Sequence, residues 1–141
     1  MASRPAEPWR IHFFRRHPDD DPRETVPALD FFEQLPSKVA AEIHAVLNAV
    51  AEAPPPSFSG GGKWEAMHGD MAGHYEVRVQ GGGKNHRLFC LLERDADDLG
   101  GSSIVCLGGL SKAPRSAADP REYKLIKRYA AEFRRRRTVL S

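Results

Sequence analysis

Four residues with side chains able to handle a phosphate stand near the ends of strand-like segments: Arg78, His86, Arg87 and Lys112. Arginine stays charged, and its planar fork binds phosphate oxygens through paired hydrogen bonds. Histidine exchanges protons near neutral pH. A single strand arginine is more often a satisfied surface charge, so each residue alone is a weak signal. Together the four predict a cationic concavity suited to a phosphate, with a proton-transfer group beside it.

Residues 75–93 position the first three of these side chains, since they have the pattern of two strands joined by a glycine-rich turn. In the first strand, apolar side chains at 75, 77 and 79 alternate with polar ones at 76, 78 and 80, which predicts two distinct faces. The glycines at 81–83 suit the positive φ angles of a hairpin loop. The second strand is apolar beyond Arg87, as is typical of a central strand.

The N-terminal half predicts one strand and two helices. The strand covers 9–14 and precedes a polar loop. Thr25 is the expected cap of the first helix, with Pro27 in its opening turn. A second helix spans 37–53, because its apolar residues recur at helical spacing, and the three prolines at 54–56 end it.

The C-terminal half predicts a strand near 63–69, the hairpin, a strand over 103–107 and a last helix. Asp119 caps that helix, Pro120 takes its first position, and its apolar stripe predicts that Ile126 and Phe133 are buried. The order is β-α-α-β-β-β-β-α. It predicts an α+β fold in which helices pack on a mostly antiparallel sheet.

The chain of 141 residues predicts a single domain over 9–137, with a flexible leader at 1–8 and a tail at 138–141. No apolar stretch is long enough to span a membrane and the N-terminus lacks a signal peptide's apolar region, so we expect a cytoplasmic protein without a membrane partner. Cys90 and Cys106 lie in apolar strand segments, which favours buried free thiols.

Several chemistries lack their signatures. The two GGGK segments, at 60–63 and 81–84, miss the spacing and the hydroxyl residue of a phosphate-binding P-loop. The six histidines have no zinc spacing, although His68, His74 and His86 could converge near strand ends. Nucleophile elbows and paired carboxylates are missing as well. We therefore predict neither a metal nor another cofactor.

Charge is unevenly distributed along a chain whose formal net charge is only +2. The last eighteen residues contain one acid, Glu132, and these basic residues: Lys124, Lys127, Arg128, Arg134, Arg135, Arg136 and Arg137. A basic terminal helix favours an anionic partner such as nucleic acid, while the ordinary alternative is a solvated face.

Six segments, in this order, resemble the phage-derived RelE/HigB-like toxins of the RelE/ParE superfamily: WRI, FFEQLPSKV, KWEAMHGD, GHYEVRV, HRLFCLL and CLGGLSK before a helix. The resemblance covers roughly residues 9–131. It implies a small α+β fold with two N-terminal helices against a curved antiparallel sheet. It also implies the toxin of a type II toxin–antitoxin pair, which cleaves messenger RNA on the ribosome and is neutralised by an antitoxin, often with a helix-turn-helix domain.

Three residues carry over from the resemblance: Arg78 in an E-x-R strand, Arg87 at a strand start, and Lys112 in the segment after the last strand. The sequence departs from the family pattern at Leu110, where phenylalanine is common, and at Ala113, where a second lysine is usual. The resemblance therefore implies that Arg78, Arg87 and Lys112 bind phosphate, with one lysine fewer than is usual in the family.

Metal-free RNA cleavage begins with attack of a ribose 2′-OH on the adjacent phosphodiester. Arg78 and Arg87 suit stabilisation of the dianionic phosphorane, because they are permanently cationic donors. Lys112 could bind the phosphate or supply a proton, and His86 is the best available acid or base. The alternative is that His86 only stacks on its neighbours or hydrogen-bonds with them. In the family that the sequence resembles, an aromatic residue is common at this position before the arginine. Tyr123 lies near the position of a functional tyrosine in some relatives.

Further basic residues are candidates for RNA contact: Lys63, Lys84, Arg115, Lys127, Arg128 and Arg134. Two other functions stay open, namely a ParE-like inhibitor of a topoisomerase without chemistry of its own and an inactive relative that only binds partners. For the nuclease, truncation of Arg87 is expected to relieve toxicity with little loss of stability.

Overall fold

The computed structural model describes residues 7–53, 62–116 and 119–141. Its helices and strands are β1 (Arg10–Phe14), α1 (Pro27–Glu33), α2 (Ser37–Glu52), β2 (Trp64–Ala66), β3 (Tyr75–Gly81), β4 (Lys84–Glu93), β5 (Ser103–Lys112), α3 (Pro120–Arg136) and β6 (Val139–Leu140). Most of the leader predicted at 1–8, the proline stop at 54–56 and the start of the first GGGK segment lie outside the described residues.

The strands form one six-stranded sheet in the order β2-β3-β4-β5-β1-β6. The only parallel pair among these strands is β1 with β5, so the predicted α+β class with a mostly antiparallel sheet is confirmed. Residues 138–141, predicted as a tail, contain β6, which pairs with β1. Two residues are too few to show a strand period, and only the partner strand makes them a strand.

Helices cover both faces of the sheet. The first face is packed against α1 and α2, where Ile43 and Leu47 meet Val77 and Leu88. The second face is packed against α3, whose buried residues include Ile126, Ala130 and Phe133. The predicted burial of Ile126 and Phe133 is therefore confirmed. Helix α3 therefore lies on one face of the sheet, and α1 and α2 lie on the other. Strand side chains that point away from α1 and α2 point towards α3.

The helix starts were predicted with mixed success. Asp119 caps α3 as predicted, since its carboxylate accepts a hydrogen bond from the Arg121 backbone N–H at 2.9 Å. The cap predicted at Thr25 is wrong, because α1 is preceded by Val26 and has no side-chain cap. Thr25 instead donates its backbone N–H to Asp21 at 3.1 Å, which fastens the preceding loop.

The cysteines are free and buried, as predicted. Cys90 of β4 lies directly opposite Cys106 of β5, with 4.0 Å between the two sulfur atoms. Burial, and then the neighbouring thiol, raise the pKa of Cys90 well above its ordinary value. Both cysteines face the core beneath α1 and α2, where a neutral thiol packs as a small apolar group.

The three histidines near strand ends do not converge. His74 precedes β3 and donates from Nδ1 to the Met71 carbonyl at 3.1 Å, whereas His86 lies near the other end of the β3–β4 hairpin. Within the described part of the chain, no cluster of three His, Cys, Asp or Glu residues could hold a metal ion.

Gly108 and Gly109 of β5 allow the packing of the helices against the sheet to be tested. A Cβ at Gly109 would lie 2.5 Å from the Phe31 ring and 2.7 Å from the Arg87 carbonyl oxygen, whereas one at Gly108 would be 3.4 Å from Ile126. We expect Gly109→Ala to lower the free energy of unfolding by about 1–3 kcal/mol, because α1 must move away from the sheet. Gly108→Ala is the control and should stay near wild type. Urea denaturation measures both, and equal effects would contradict the packing argument.

Candidate functional site

The strand register brings three of the four predicted residues together. Arg78 of β3 is directly opposite Arg87 of β4, and Lys112 of β5 is opposite Asn85 of β4. Since alternate residues of a strand share a face, Arg78, Arg87 and Lys112 project from the same face of the sheet, the one that α3 partly covers. A cavity of about 730 Å³ lies there and includes all three among its lining residues. We call this cavity the groove.

Arg87 is the most firmly held cation of the groove. Its Nε donates to Glu76 Oε2 at 2.6 Å, and a terminal nitrogen contacts the same oxygen. The other terminal nitrogen donates to the Tyr123 hydroxyl at 2.9 Å. The guanidinium carbon lies 5.2 Å from the centroid of the Phe89 ring and 5.6 Å from that of Tyr123, within the range of cation–π attraction. These contacts fix the orientation of the guanidinium before any substrate arrives.

Arg87 stays protonated despite its partial burial. Burial by itself lowers the pKa of Arg87, but the hydrogen bond with Tyr123 and the negative charge of Glu76 outweigh it. The pKa therefore lies above the ordinary value for arginine. Arg87 stays a cation at any pH at which an ordinary enzyme works.

Glu76 is a site residue that the sequence reasoning missed. Its side chain is only 8% exposed, and besides Arg87 it has Arg78 within 3.9 Å. The available signal was its spacing, because alternation places Glu76 on the same face as Arg78. Its burial could not be seen in the sequence, since it results from the neighbouring strands and from Tyr123 above the arginine.

Arg78 and Lys112 occupy more open positions. The side chain of Arg78 is 55% exposed and lies 3.4 Å from Glu65 of β2. Lys112 Nζ lies 3.0 Å from Glu122 in the first turn of α3. Both cations thus border the groove with a carboxylate close by, while Arg87 lies deeper between them.

His86 is among the lining residues of the groove, but its ring belongs to the other face of the sheet. It pairs with Val79 and Ser111, on the face covered by α1 and α2, and it is 3% exposed. Nε2–H donates to the Gly81 carbonyl at 2.9 Å, and Nδ1 accepts from the Ser111 hydroxyl at 2.6 Å. Both ring nitrogens are therefore occupied, one by the end of β3 and the other by β5. The role of His86 as acid or base stays a prediction, and it would require the ring to give up at least one of these hydrogen bonds.

Of the loop residues predicted to contact RNA, one borders the groove and two are exposed elsewhere on the described surface. Lys63 is one of its lining residues, with its Nζ 2.7 Å from Glu42 of α2. Lys84 is exposed at the start of β4, and Arg115 is exposed in the loop after β5. These placements are consistent with contacts to a chain that enters the groove, although only Lys63 borders it.

The three candidates on α3 differ in their surroundings. Arg128 lies 3.3 Å from the buried carboxylate of Glu132, one turn along the helix. Lys127 and Arg134 are exposed and have no acid within ion-pair distance in the described part of the chain. Both are near His74, whose pKa is lowered first by burial and then by the positive charges of Arg134 and Lys127.

Most of the basic run at the end of α3 is neutralised within the molecule. Its pairs are Arg135 with Asp20 at 3.4 Å, Arg136 with Asp19 at 3.4 Å, and Arg137 with Asp98 and Glu93 at 2.6 and 3.1 Å. The hydrogen bond from Arg137 lowers the pKa of Asp98. The contact of this helix end with an anionic partner stays a prediction, and such a partner would have to compete with these acids. The run fastens two acidic loops, and only Arg134 among its four arginines remains outside these pairs.

Comparison with known proteins gives a faint structural likeness. Neither a protein-family model nor a curated protein sequence matches the chain. A solved toxin–antitoxin complex, RelBE2 from Mycobacterium tuberculosis, is similar to it at 16% sequence identity and a TM-score of 0.46, over 72% of this chain and 95% of that chain. A likeness of this size establishes neither a shared family nor an activity. Every helix in the described residues is too short or too polar to cross a membrane.

The Arg87–Glu76 pair changes the expected effect of truncating Arg87. We now expect Arg87→Ala to lower the free energy of unfolding by about 3–5 kcal/mol, because a buried carboxylate loses its close partner. The double variant Arg87→Ala/Glu76→Gln should recover a large part of this loss, since glutamine carries no charge. Arg78→Ala, on the same face but exposed, is the matched control and should stay near wild type. If urea denaturation finds Arg87→Ala as stable as Arg78→Ala, the ion pair does not stabilise the fold.

Proposed function

We propose that this protein is the toxin of a type II toxin–antitoxin pair, RelE-like in fold, that cleaves messenger RNA on the ribosome. One observation carries the proposal. The register of β3, β4 and β5 places Arg78, Arg87 and Lys112 on one face of the sheet in an open groove. Supporting it are the motifs in RelE/HigB-like order along residues 9–131. The partners are then the ribosome with its messenger RNA and a cognate antitoxin, of helix-turn-helix type, in the cytoplasm.

Phosphate stabilisation is the task that these cations suit best. Attack by the 2′-oxygen places two negative charges on the phosphorus-bound oxygens, and fixed donors aimed at that charge lower the barrier. Arg87 is already oriented by Glu76 and Tyr123, so it costs little reorganisation. Arg78 is exposed and adjustable, which allows it to follow the phosphate as the geometry changes.

Proton transfer needs other groups than the two arginines. The Lys112 ammonium can protonate the departing 5′-oxygen as its bond to phosphorus breaks, and a non-bridging oxygen of the phosphate can take the 2′-OH proton as the new O–P bond forms. The products are a 2′,3′-cyclic phosphate and a 5′-hydroxyl end. Positioning of the phosphodiester by the ribosome supplies the alignment, which is a large part of the catalytic effect in such reactions.

Arg78→Gln tests the proposal without disturbing the core, because the arginine is mostly exposed. We expect it to slow cleavage on programmed ribosomes by about a hundredfold, as loss of one transition-state donor typically does. Arg23→Gln, an exposed arginine in the loop before α1, is the matched control and should leave the rate unchanged.

Mapping of transcript 5′ ends after brief induction separates the functions. A nuclease produces new 5′-hydroxyl ends within reading frames, and Arg78→Gln should suppress them together with growth inhibition. A ParE-like topoisomerase inhibitor would stop growth without such ends, and an inactive relative would do neither. Either result would contradict the proposal.

The pairing of the basic run predicts which cations of α3 contact RNA. Lys127→Gln/Arg134→Gln should weaken ribosome or RNA association and flatten its salt dependence by about 0.7 in log–log slope for each lost phosphate contact. Arg135→Gln/Arg136→Gln removes the same charge from residues already bound to Asp19 and Asp20, so the slope should hardly change. Binding titrations over a range of salt concentrations compare them. A larger change of slope in Arg135→Gln/Arg136→Gln than in Lys127→Gln/Arg134→Gln would contradict this prediction. It would show that the arginines at the end of α3 contact the RNA.

A further inference from the structure

Every lysine and arginine that lines the groove has a carboxylate within ion-pair distance. The pairs are Lys63 with Glu42 at 2.7 Å, Arg78 with Glu65 at 3.4 Å, Arg87 with Glu76 at 2.6 Å, and Lys112 with Glu122 at 3.0 Å. The four cations therefore face four anions. A groove that recognises phosphate by charge alone would not need these acids, and they lower its attraction for any free polyanion.

The acids divide into one buried residue and three at the rim. Glu76 is buried and fixes Arg87, so it serves the architecture of the site. The side chains of Glu42, Glu65 and Glu122 are 36%, 48% and 33% exposed. Exposed ion pairs of this kind add little to stability, so the fold does not account for them. Their common feature is their position next to the groove.

Glu65 and Glu122 reach the groove from separate elements. Glu65 is on β2, beyond Arg78, and Glu122 is in the first turn of α3, beside Lys112. They therefore lie on either side of Arg87. A phosphate entering the groove must displace both carboxylates from the cations or remain close to their negative charge, and both alternatives cost free energy.

We propose that Glu65 and Glu122 are specificity-determining residues that suppress the binding of free RNA. They occupy the two outer cations, so a phosphodiester exchanges with them only when other contacts hold it in place. The inference rests on the proposed function, in which the ribosome supplies those contacts. Specificity then comes from a penalty on the wrong substrate as well as from attraction to the right one.

The test compares two double variants with the same net charge. Glu65→Gln/Glu122→Gln removes the carboxylates that pair with Arg78 and Lys112, and Glu33→Gln/Glu52→Gln removes two exposed helix acids that have no ion pair with the four cations of the groove. The probe is a short single-stranded 2′-O-methyl RNA, which binds but cannot be cleaved. We expect the groove variant to bind it about tenfold more tightly, with a steeper salt dependence, because two carboxylates that compete with phosphate for Arg78 and Lys112 are gone. The control should change by less than about twofold, since its carboxylates do not pair with the cations that the phosphate must reach.

Cleavage of unmodified RNA gives a second readout. The ratio of the cleavage rate on programmed ribosomes to that on free RNA should fall in the groove variant and stay constant in the control. Equal tightening in both variants would show a net-charge effect and overturn the inference. If the wild-type protein binds the RNA and the groove variant binds it with the same affinity, the inference about Glu65 and Glu122 is overturned. The proposed function is unaffected by that result. Failure of all three proteins to bind RNA, with no new 5′ ends in cells, would overturn both.

Discussion

The ion pair between Arg87 and Glu76 is the contact on which the rest of the site depends. It joins β3 to β4 on the face that α3 covers, and the Tyr123 hydroxyl connects the same arginine to that helix. On the opposite face, Gly109 leaves room for Phe31 of α1 directly behind the arginine's backbone. A charged residue can therefore sit at the border of an apolar sheet, because its charge is matched and its backbone is tightly packed. The same contacts orient the guanidinium for a ligand.

Helix α3 links three parts of the molecule. Its first turn brings Glu122 to Lys112 and Tyr123 to Arg87, and its middle contributes Ile126 and Ala130 to the core. Its end is bound to acidic loops through the pairs described above. A shift of the helix would move the groove residues and the loops together. This arrangement explains why a run of four arginines is used mainly for internal attachment.

The distribution of charge is more informative than the net charge of +2. Cations of the groove are each opposed by an acid, and most cations of the helix end are as well. Lys127 and Arg134 stand outside these pairs in the described part of the chain, on the helix that borders the groove. The protein therefore offers a phosphate a preformed but neutralised site, with additional positive charge beside it. Under the proposed function, such a surface binds free polyanions weakly and responds strongly to the alignment of the RNA.

The sequence by itself determined the features that depend on local periodicity. Alternation in 75–80 gave the two faces of β3, helical spacing gave α2 and the buried stripe of α3, and the Asp119–Pro120 pair gave the start of that helix. Tertiary structure alone decided which remote residues meet. Strand pairing set Arg78 opposite Arg87 and put His86 on the other face, and β6 exists only because β1 lies beside it. Likewise Asp19 and Arg136 meet across most of the chain, which a local pattern cannot encode, because ion pairing depends on distance in space rather than on separation in sequence.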